Sequence, residues 1–385
     1  PDGGWHVSFA WLTADRFRVD HDVLRALPAG LQRAVADIRL KGLLSVDGAL
    51  DIYTTAPREV TLPGGRSEVV PGPAAAAWDM QLDLEQATLD AGVPLEHVSG
   101  GIRLRGASDG EAWRTLGDVA IDTATWRGVH LTVLRGPLAI DAAGARFGAP
   151  AAVVSEPGSP RRLTAQLAGG TLQLDADVAP GEAGQFTVGL ALADVDLERL
   201  AGDLLGGPSA SRGRVHGAIE VSGTRSGTHS LAGRGQVRLR DANLYELPVI
   251  VSLLKILRVR APDRTAFGSS LVDFRIEGPR AYLDTIELSG DAISLVGAGE
   301  IDLDSNINLT FRPMMGEAET QLPAMKRFLG GAGGQFMLVH VGGTLAEPVT
   351  STEAFPTLAA AVQKLQSQRR EPPAERSAGW LEQIR

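Results

Sequence analysis

Ser108 lies in the stretch of the chain that comes closest to a catalytic pattern. The sequence GASDG at positions 106–110 fits G-x-S-x-G and follows a short alternating segment that predicts a β-strand. In an α/β-hydrolase this pattern places a nucleophilic serine on a sharp turn between a strand and a helix. The following EAWRTLGD is long enough for one helical turn, but the crossover helices of a parallel sheet are not predicted around it. A hydrolase that uses Ser108 is one hypothesis, and a small polar loop is the simpler interpretation.

Metal and cofactor chemistry finds little support in the sequence. The seven histidines are scattered, none falls in an HExxH or His-x-His pattern, and there are no cysteines, so we expect no zinc or iron site and no cofactor. His340, between two valines in FMLVHVGG, is predicted to be structural or solvent-facing. GGAGG at 330–334 lacks the Lys-Ser/Thr of a phosphate loop, and DLDSN at 302–306 lacks the glycine and closing glutamate of a calcium loop. Both are predicted to be ordinary loops.

Composition limits the classes of partner. The formal charge is −9 and the pI is about 5.4, which argues against nucleic acid as a partner because phosphate binding needs clustered Lys and Arg. Apolar residues make up 44% of the chain, but aromatic residues only 5%, and there are 46 glycines. An excess of glycine favours a fold with many turns and bends.

The clearest structural pattern is alternation with a period of two. In AISLVGAGEIDLDSNINLTFRP (292–313) the apolar residues and glycines fall on one face, and most polar residues fall on the other. This predicts a strand, a turn at 304–306 and a returning strand. A shorter theme, glycine followed by two aliphatic residues at alternate positions, recurs along the chain, and LAGRGQVRL and LVGAGEIDL share its longer form. We therefore predict a mainly β fold of elongated, twisted antiparallel β-sheet repeats with a few short helices.

Three helices and two boundaries are predicted. The helices lie near 28–40, at 248–257 and from 356 to about 365, and the second is apolar on nearly every side, so it must be buried. The Pro/Gly/Ser-rich segment around 156–160 suggests a division into a β-repeat region at 1–160 and a second β domain at 161–350. Residues 351–385 are expected to hold the last helix and a disordered polar tail.

The start of the sequence shows neither an initiator Met nor a targeting segment, and the run LPVIVSLLKIL is far shorter than the about 18–20 residues that span a bilayer. We expect the chain to be the C-terminal part of a longer protein, with any membrane anchor upstream of Pro1.

Residues 231–311 resemble the AsmA-like C-terminal domain of the AsmA/TamB group of bacterial envelope proteins. The resemblance rests on LAGRGQVRLRDANLYELPVIVSLLKIL, on SSLVDFRIEGPRAYLDTIELSGDAISLVGAGEIDLDSNINLTFRP and on the later VHVGGTLAEPV. LRALPAGLQRAVADIRLKGLLSVDG and VPLEHVSGGIRLRG look like the upstream repeats of such proteins, so the likeness extends over about 23–349. It is a likeness of pattern and glycine placement, without a catalytic signature.

The resemblance implies a sheet curled into an open trough with an apolar interior. It also implies a periplasmic protein, anchored in the inner membrane when complete, that supports outer-membrane biogenesis and lipid transport. Its partners would be phospholipid acyl chains and membrane proteins of the cell envelope. The function expected is therefore non-enzymatic phospholipid transfer through a hydrophobic groove. The alternative is a structural scaffold of the envelope whose apolar face is a closed core without lipid cargo.

The residues predicted to line the groove are the aliphatic and aromatic members of the alternating segments. They are Leu231, Val237, Leu239, Ile276, Ile286, Leu288, Ile293, Leu295, Ile301, Leu303, Ile307, Leu309 and Phe311. The polar residues between them are expected on the outer, solvated face. The helix at 248–257 is predicted either to cap ordinary core or to contact a bilayer, and the cap is the simpler interpretation.

Overall fold

The protein is mainly β and antiparallel, which confirms the predicted fold class. A computed structural model describes residues 5–18, 25, 39–54, 58–61, 67–70, 72–90, 94–148, 162–181, 183–205, 212–243, 248–256, 269–290, 293–315 and 336–355. Eighteen strands belong to one antiparallel sheet, and two further strands pair only with each other. The predicted helix near 28–40 falls outside the described residues except for Arg39 and Leu40, which are not helical. The predicted helix after 356, the polar tail and the predicted boundary at 160 also fall outside them.

The described elements comprise twenty strands, two α-helices and one 3-10 turn. The strands of the first half are β1 (His6–Arg18), β2 (Lys41–Thr54), β3 (Arg58–Thr61), β4 (Ser67–Val70), β5 (Ala74–Asp90), β6 (Pro94–Ser108), β7 (Trp113–Trp126), β8 (Val129–Asp141), β9 (Gly144–Phe147), β10 (Leu163–Leu167), β11 (Gly170–Val178) and β12 (Gln185–Asp196). Then follow α1 (Leu197–Leu205), β13 (Arg212–Thr224), the 3-10 turn Thr228–Ser230, β14 (Ala232–Asn243), α2 (Pro248–Ile256), β15 (Ser269–Glu277), β16 (Arg280–Ser289), β17 (Ile293–Asp302), β18 (Ile307–Met315), β19 (Phe336–Gly343) and β20 (Pro348–Phe355).

The chain forms two compact units. Unit 1 comprises Pro1–Leu167 and Leu172–Phe186, and unit 2 comprises Ala168–Thr171 and Thr187–Arg385. In unit 1, strand pairing runs β1, β2, β5, β6, β7, β8, and β8 pairs with both β9 and β10. In unit 2, each strand from β13 to β20 pairs with the next one in the chain. Such sequential antiparallel pairing needs only local connections.

Glycine opens several strands in the way that the recurring theme predicts. Gly42 has a φ of +128°, and the register of β2 against β5 shifts between Lys41 and Leu43. A residue with a side chain is strained at such a φ, whereas glycine adopts it freely and permits a bulge. The bulge sets which residues of β2 face each side of the sheet.

The two α-helices differ in how well the sequence predicts them. α2 begins at Pro248, whose fixed φ suits the first helical position, and its observed range confirms the prediction at 248–257. α1 was not predicted. Its start is capped by Asp196, whose Oδ1 accepts a hydrogen bond of 3.1 Å from the backbone N–H of Arg199.

Candidate functional site

Register in unit 2 places the apolar residues of successive strands on one face. Leu295 of β17 lies opposite Leu288 of β16 on one side and Pro313 of β18 on the other. Ile301 likewise lies between Ala281 and Ile307. Directly opposed residues of neighbouring strands share a face. The apolar residues of the individual strands therefore form one apolar surface that extends across the neighbouring strands. We call it the unit 2 apolar face.

Most of the predicted lining residues lie on this face. Six are buried in its core: Ile286, Leu288, Leu295, Ile307, Leu309 and Phe311. Leu239 and Ile301 are partly buried and pack against that core. Val237 and Ile276 are also partly buried and belong to the same face by alternation.

Three predicted lining residues fall outside this group. Leu231 is partly buried, but it precedes β14, which begins at Ala232, so the strand register does not place it on the face. Leu303 was wrongly placed, because β17 ends at Asp302 and the side chain of Leu303 is 63% exposed. Its backbone N–H donates a 3.2 Å hydrogen bond to the carbonyl of Pro279, so the chain has already left the alternating pattern. Ile293 pairs with Met315 in the strand register, and its side chain lies outside the described part of the structure.

α2 covers one part of the unit 2 apolar face. Ile250 and Leu253 of the helix belong to the same buried cluster as the sheet residues, and Leu253 is fully buried. Val339 and Val341 of β19 complete this enclosed part, and the helix contacts β19 and β20. The observed packing is that of a cap over core, which was the simpler prediction for this helix.

A second part of the face is only partly buried. It includes Val237, Val272, Phe274 and Ile276, which occupy β14 and β15. We call this set the partly exposed strip. Among the described face residues of β14 to β18, Ser270 is the one polar side chain; the others are apolar or glycine.

The opposite face of unit 2 is polar, as predicted. Gln236 donates a 2.6 Å hydrogen bond to Asp273 on the neighbouring strand. Arg275 is buried, and its guanidinium donates to Glu277 at 2.9 Å and to Asp284 at 2.6 Å. A buried guanidinium requires such partners, because burying an unpaired charge is costly.

Unit 1 contains a second apolar face, which sequence analysis did not single out as a site. Val46, Leu82, Ile102 and Val119 form one row across β2, β5, β6 and β7. The buried cluster on this face comprises Leu44, Leu84, Ala87, Val98, Val119, Ile121, Ala124 and Leu138. The sequence signal for this face is the alternation of apolar and polar residues, which also identified the strands of unit 2.

The other face of the unit 1 sheet carries ion pairs. Asp79 accepts hydrogen bonds from Arg103 at 3.0 and 3.1 Å and from Arg105 at 3.0 Å. The hydrogen bond from Arg103, together with the charges of both arginines, lowers the pKa of Asp79 below its ordinary value. Each unit therefore separates polar from apolar side chains across its sheet.

Ser108 does not occupy a nucleophile elbow. It ends β6 at a hairpin that leads straight into β7, and no helical turn follows. Its Oγ accepts a 3.2 Å hydrogen bond from the backbone N–H of Gly110, while Asp109 accepts from the backbone of Glu111 and Ala112. These side chains stabilise a polar hairpin loop, which was the simpler interpretation of this stretch.

A hydrogen-bonded chain of three side chains crosses β18, β19 and β20 on the polar face of unit 2. His340 Nδ1 lies 3.0 Å from Thr310 Oγ1, and its Nε2 lies 3.0 Å from Glu353 Oε2. This order matches that of a catalytic triad, but Thr310 is only 1% exposed and so cannot meet a substrate. The chain ties three strands together, consistent with the structural role predicted for His340.

Within the described residues, no group of three or more metal-ligating side chains could hold an ion. None of the helices in that part of the chain combines the length and the apolar character needed to cross a bilayer.

Comparison with known proteins gave no match: no family model, curated protein or solved structure corresponds to this chain.

Proposed function

We propose that this chain is a non-enzymatic protein of the cell envelope that shelters phospholipid acyl chains on its apolar sheet faces and supports their transfer between membranes. The sequence resemblance to AsmA-like domains suggests the periplasm, a role in outer-membrane biogenesis and an inner-membrane anchor in the complete protein. The two apolar faces suggest how lipid would be held, with the sheet curling as an open trough around the acyl chains.

The observation that carries this proposal is the partly exposed strip of unit 2. The strip continues a buried apolar core, yet Val237, Phe274 and Ile276 keep part of their surface in contact with solvent. Covering apolar surface gains about 25 cal/mol per Å², or about 0.8 kcal/mol for each buried CH2 group. A bound acyl chain would therefore gain several kcal/mol from a short length of this strip.

The same lining favours movement of the lipid along the face. Apolar contacts are non-directional, so a chain that slides from one aliphatic side chain to the next loses little energy. Fixed hydrogen-bonding groups would hold a lipid at one place, and among the described face residues of β14 to β18 only Ser270 offers one.

A structural scaffold is the second candidate function, and the packing of α2 favours it. Leu253 and its sheet partners form a closed core that needs no ligand. If the partly exposed strip is only the margin of that core, the protein would bind no lipid.

Extraction of lipid from the purified protein separates these two functions. We expect phospholipid to co-purify with the wild-type chain, and Val237→Asp to lose most of it, because a carboxylate on the strip opposes acyl contact. Arg238→Asp is the matched control, since it places the same side chain one residue away on the polar face. Circular dichroism reports whether each variant is folded. Lipid-free wild-type protein would favour the scaffold. Equal lipid in the two folded variants would contradict the strip as the lipid-binding surface.

A further inference from the structure

At one end of the unit 1 apolar face, side chains that can donate hydrogen bonds lie among the apolar side chains. Register places Phe9, Leu50, Trp78, Gly106 and Thr115 in one row across β1, β2, β5, β6 and β7. The next row outward contains Ser108 and Trp113, which are directly paired. We call the group formed by Trp78, Ser108, Trp113 and Thr115 the tryptophan end of this face.

The indole of Trp78 lies across the neighbouring strand. A Cβ added at Gly106 would overlap the ring at Cζ2 and Cε2, so the absence of a side chain at that position leaves room for the indole. Nε1 is bonded to Cε2, so the N–H group of Trp78 also lies close to β6. Neither Trp78 nor Trp113 has a hydrogen-bond acceptor for its indole among the described residues.

Thr115 provides an independent sign that a polar ligand belongs here. It is 3% exposed, and its Oγ1 is the one buried side-chain oxygen or nitrogen without a hydrogen-bond partner in the described part of the chain. A buried hydroxyl without a partner is costly, and most such groups in proteins are satisfied. A ligand oxygen at the tryptophan end would supply the missing partner.

The donors at this end are neutral, which points to a neutral acceptor. No Lys or Arg lies on this face among the described residues of β2 and β5 to β8, and Arg103 and Arg105 belong to the opposite face. Phosphate groups are usually held by Arg or Lys, whereas a carbonyl oxygen accepts readily from an indole N–H or a hydroxyl.

We propose that the tryptophan end binds the ester groups of an acyl lipid, with its chains lying along the aliphatic part of the same face. This inference rests on the proposed lipid-binding function and deepens it. The indole N–H groups of Trp78 and Trp113 donate to the ester carbonyl oxygens. Thr115 is 3% exposed, so it donates as well only when lipid binding moves its covering side chains aside. The aliphatic rows, which include Leu82, Ile102 and Leu104, cover the first carbons of the chains.

The test compares two lipids that differ only in the carbonyl groups. The protein is incubated with equimolar diester phosphatidylcholine and its diether analogue in vesicles, re-isolated, and analysed for bound lipid by mass spectrometry. We expect wild-type protein to retain the diester about fivefold over the diether, the preference expected for one neutral hydrogen bond. Trp78→Phe and Trp113→Phe keep an aromatic ring but remove the N–H, and should bring the ratio towards one without reducing diether binding.

Trp126→Phe is the matched control, because Trp126 ends the same strand, β7, far from the tryptophan end. It should leave the ratio unchanged. Equal retention of both lipids by wild-type protein would overturn the ester site while leaving lipid binding intact. Absence of both lipids would instead contradict the proposed function.

Thr115→Val provides a second readout that does not depend on the tryptophan variants. Valine has nearly the same shape without the hydroxyl, so it should raise the unfolding temperature of delipidated protein and lower the diester preference. A lower unfolding temperature would show that the hydroxyl already has a partner, and would contradict its assignment to the ligand.

Discussion

At the scale of single residues, Arg275 is the most consequential charged side chain of unit 2. Its side chain is 8% exposed and contacts Glu277, Asp284 and the ring of Tyr282, whose centroid lies 5.0 Å from the guanidinium carbon. The two carboxylates remain about one-third exposed, at 35% and 32%, so solvent weakens these ion pairs in part. The cluster joins β15 to β16 on the polar face.

We predict that Arg275→Ala lowers the free energy of unfolding by about 1–3 kcal/mol, because it leaves carboxylates without their buried partner. Arg280→Ala serves as the control. Its ion pair with Glu300 spans 3.2 Å between side chains that are 51% and 34% exposed, and should be worth about 0–1 kcal/mol. Urea titration of both variants measures the difference. Equal losses would show that the burial of Arg275 contributes nothing.

Asp302 organises the turn between β17 and β18. The side-chain amide of Asn306 donates to its carboxylate at 2.9 Å, and the backbone N–H groups of Asn306 and Asp304 donate at the same distance. These hydrogen bonds, led by the one from the Asn306 amide, lower the pKa of Asp302 from its ordinary 3.8. A lowered pKa means that the ionised form stabilises the folded chain above the unfolded-state pKa, and that this contribution is lost as the pH falls through the folded value.

We predict that an NMR titration of Asp302 gives a midpoint below 3.8, and that Asn306→Ala moves the midpoint upward. The backbone donors remain in that variant, so the pKa should rise only part of the way. Asn308→Ala, on the following strand, should leave the titration unchanged. An unaltered midpoint in Asn306→Ala would show that its amide does not stabilise the turn.

At the scale of elements, the unit 2 apolar face has an enclosed part, whose buried cluster includes residues of α2, and a partly exposed part. Leu295 and Ile301 belong to the same strand and the same face, yet Leu295 is fully buried and Ile301 is only partly buried. The sequence gives the two residues equivalent positions. Their burial differs because Leu295 belongs to the buried cluster that includes Ile250 and Leu253 of α2, whereas Ile301 only packs against that cluster.

We predict that Leu295→Asp prevents folding of unit 2, because a carboxylate would lie unpaired in a closed core. Ile301→Asp should give a folded protein that retains less lipid. Circular dichroism and lipid extraction on the two variants provide the comparison. Unfolding of both would assign the whole face to closed core and favour the scaffold function.

The hairpin of β17 and β18 was predictable because both its signals are local. Alternation placed Ile307, Leu309 and Phe311 on one face, and the polar turn marked the reversal; both predictions are confirmed. The error at Leu303 concerns the end of the strand, where alternation continues in the sequence after the backbone has turned. α1 was missed because its nine residues follow a strand directly, although Asp196 offered a capping signal.

The tryptophan end of unit 1 was not predictable in this way. Trp78 and Thr115 come together through the register of β5, β6 and β7, and the pairing of Trp78 with Gly106 lies beyond two register shifts between Leu84 and Leu89. A shift of one residue would move either side chain to the opposite face. Sequence alternation identifies the faces of a strand, whereas the partners of each residue follow only from the assembled sheet.

At the scale of the whole molecule, the same construction recurs in both units. Large side chains lie opposite glycine in the neighbouring strand: Trp78 faces Gly106, Phe274 faces Gly235 and Phe311 faces Gly297. A Cβ at Gly235 would lie 2.5 Å from Cζ of Phe274, so the glycine is what allows the ring to lie low over the sheet. The abundance of glycine and the scarcity of aromatic residues are therefore consistent with an apolar surface from which few large side chains protrude.

The central claim is that, in each unit, lipid contacts the apolar face of the strands and not the polar face. Val237 and Arg238 are neighbours in β14 and lie on opposite faces, which makes them a matched pair for a photo-crosslinking amino acid. The measurement is crosslinking in cells labelled with radioactive phosphate, followed by purification under denaturing conditions. We predict radiolabelled phospholipid attached at position 237 and none at position 238. Labelling at neither position, or equally at both, would contradict the account.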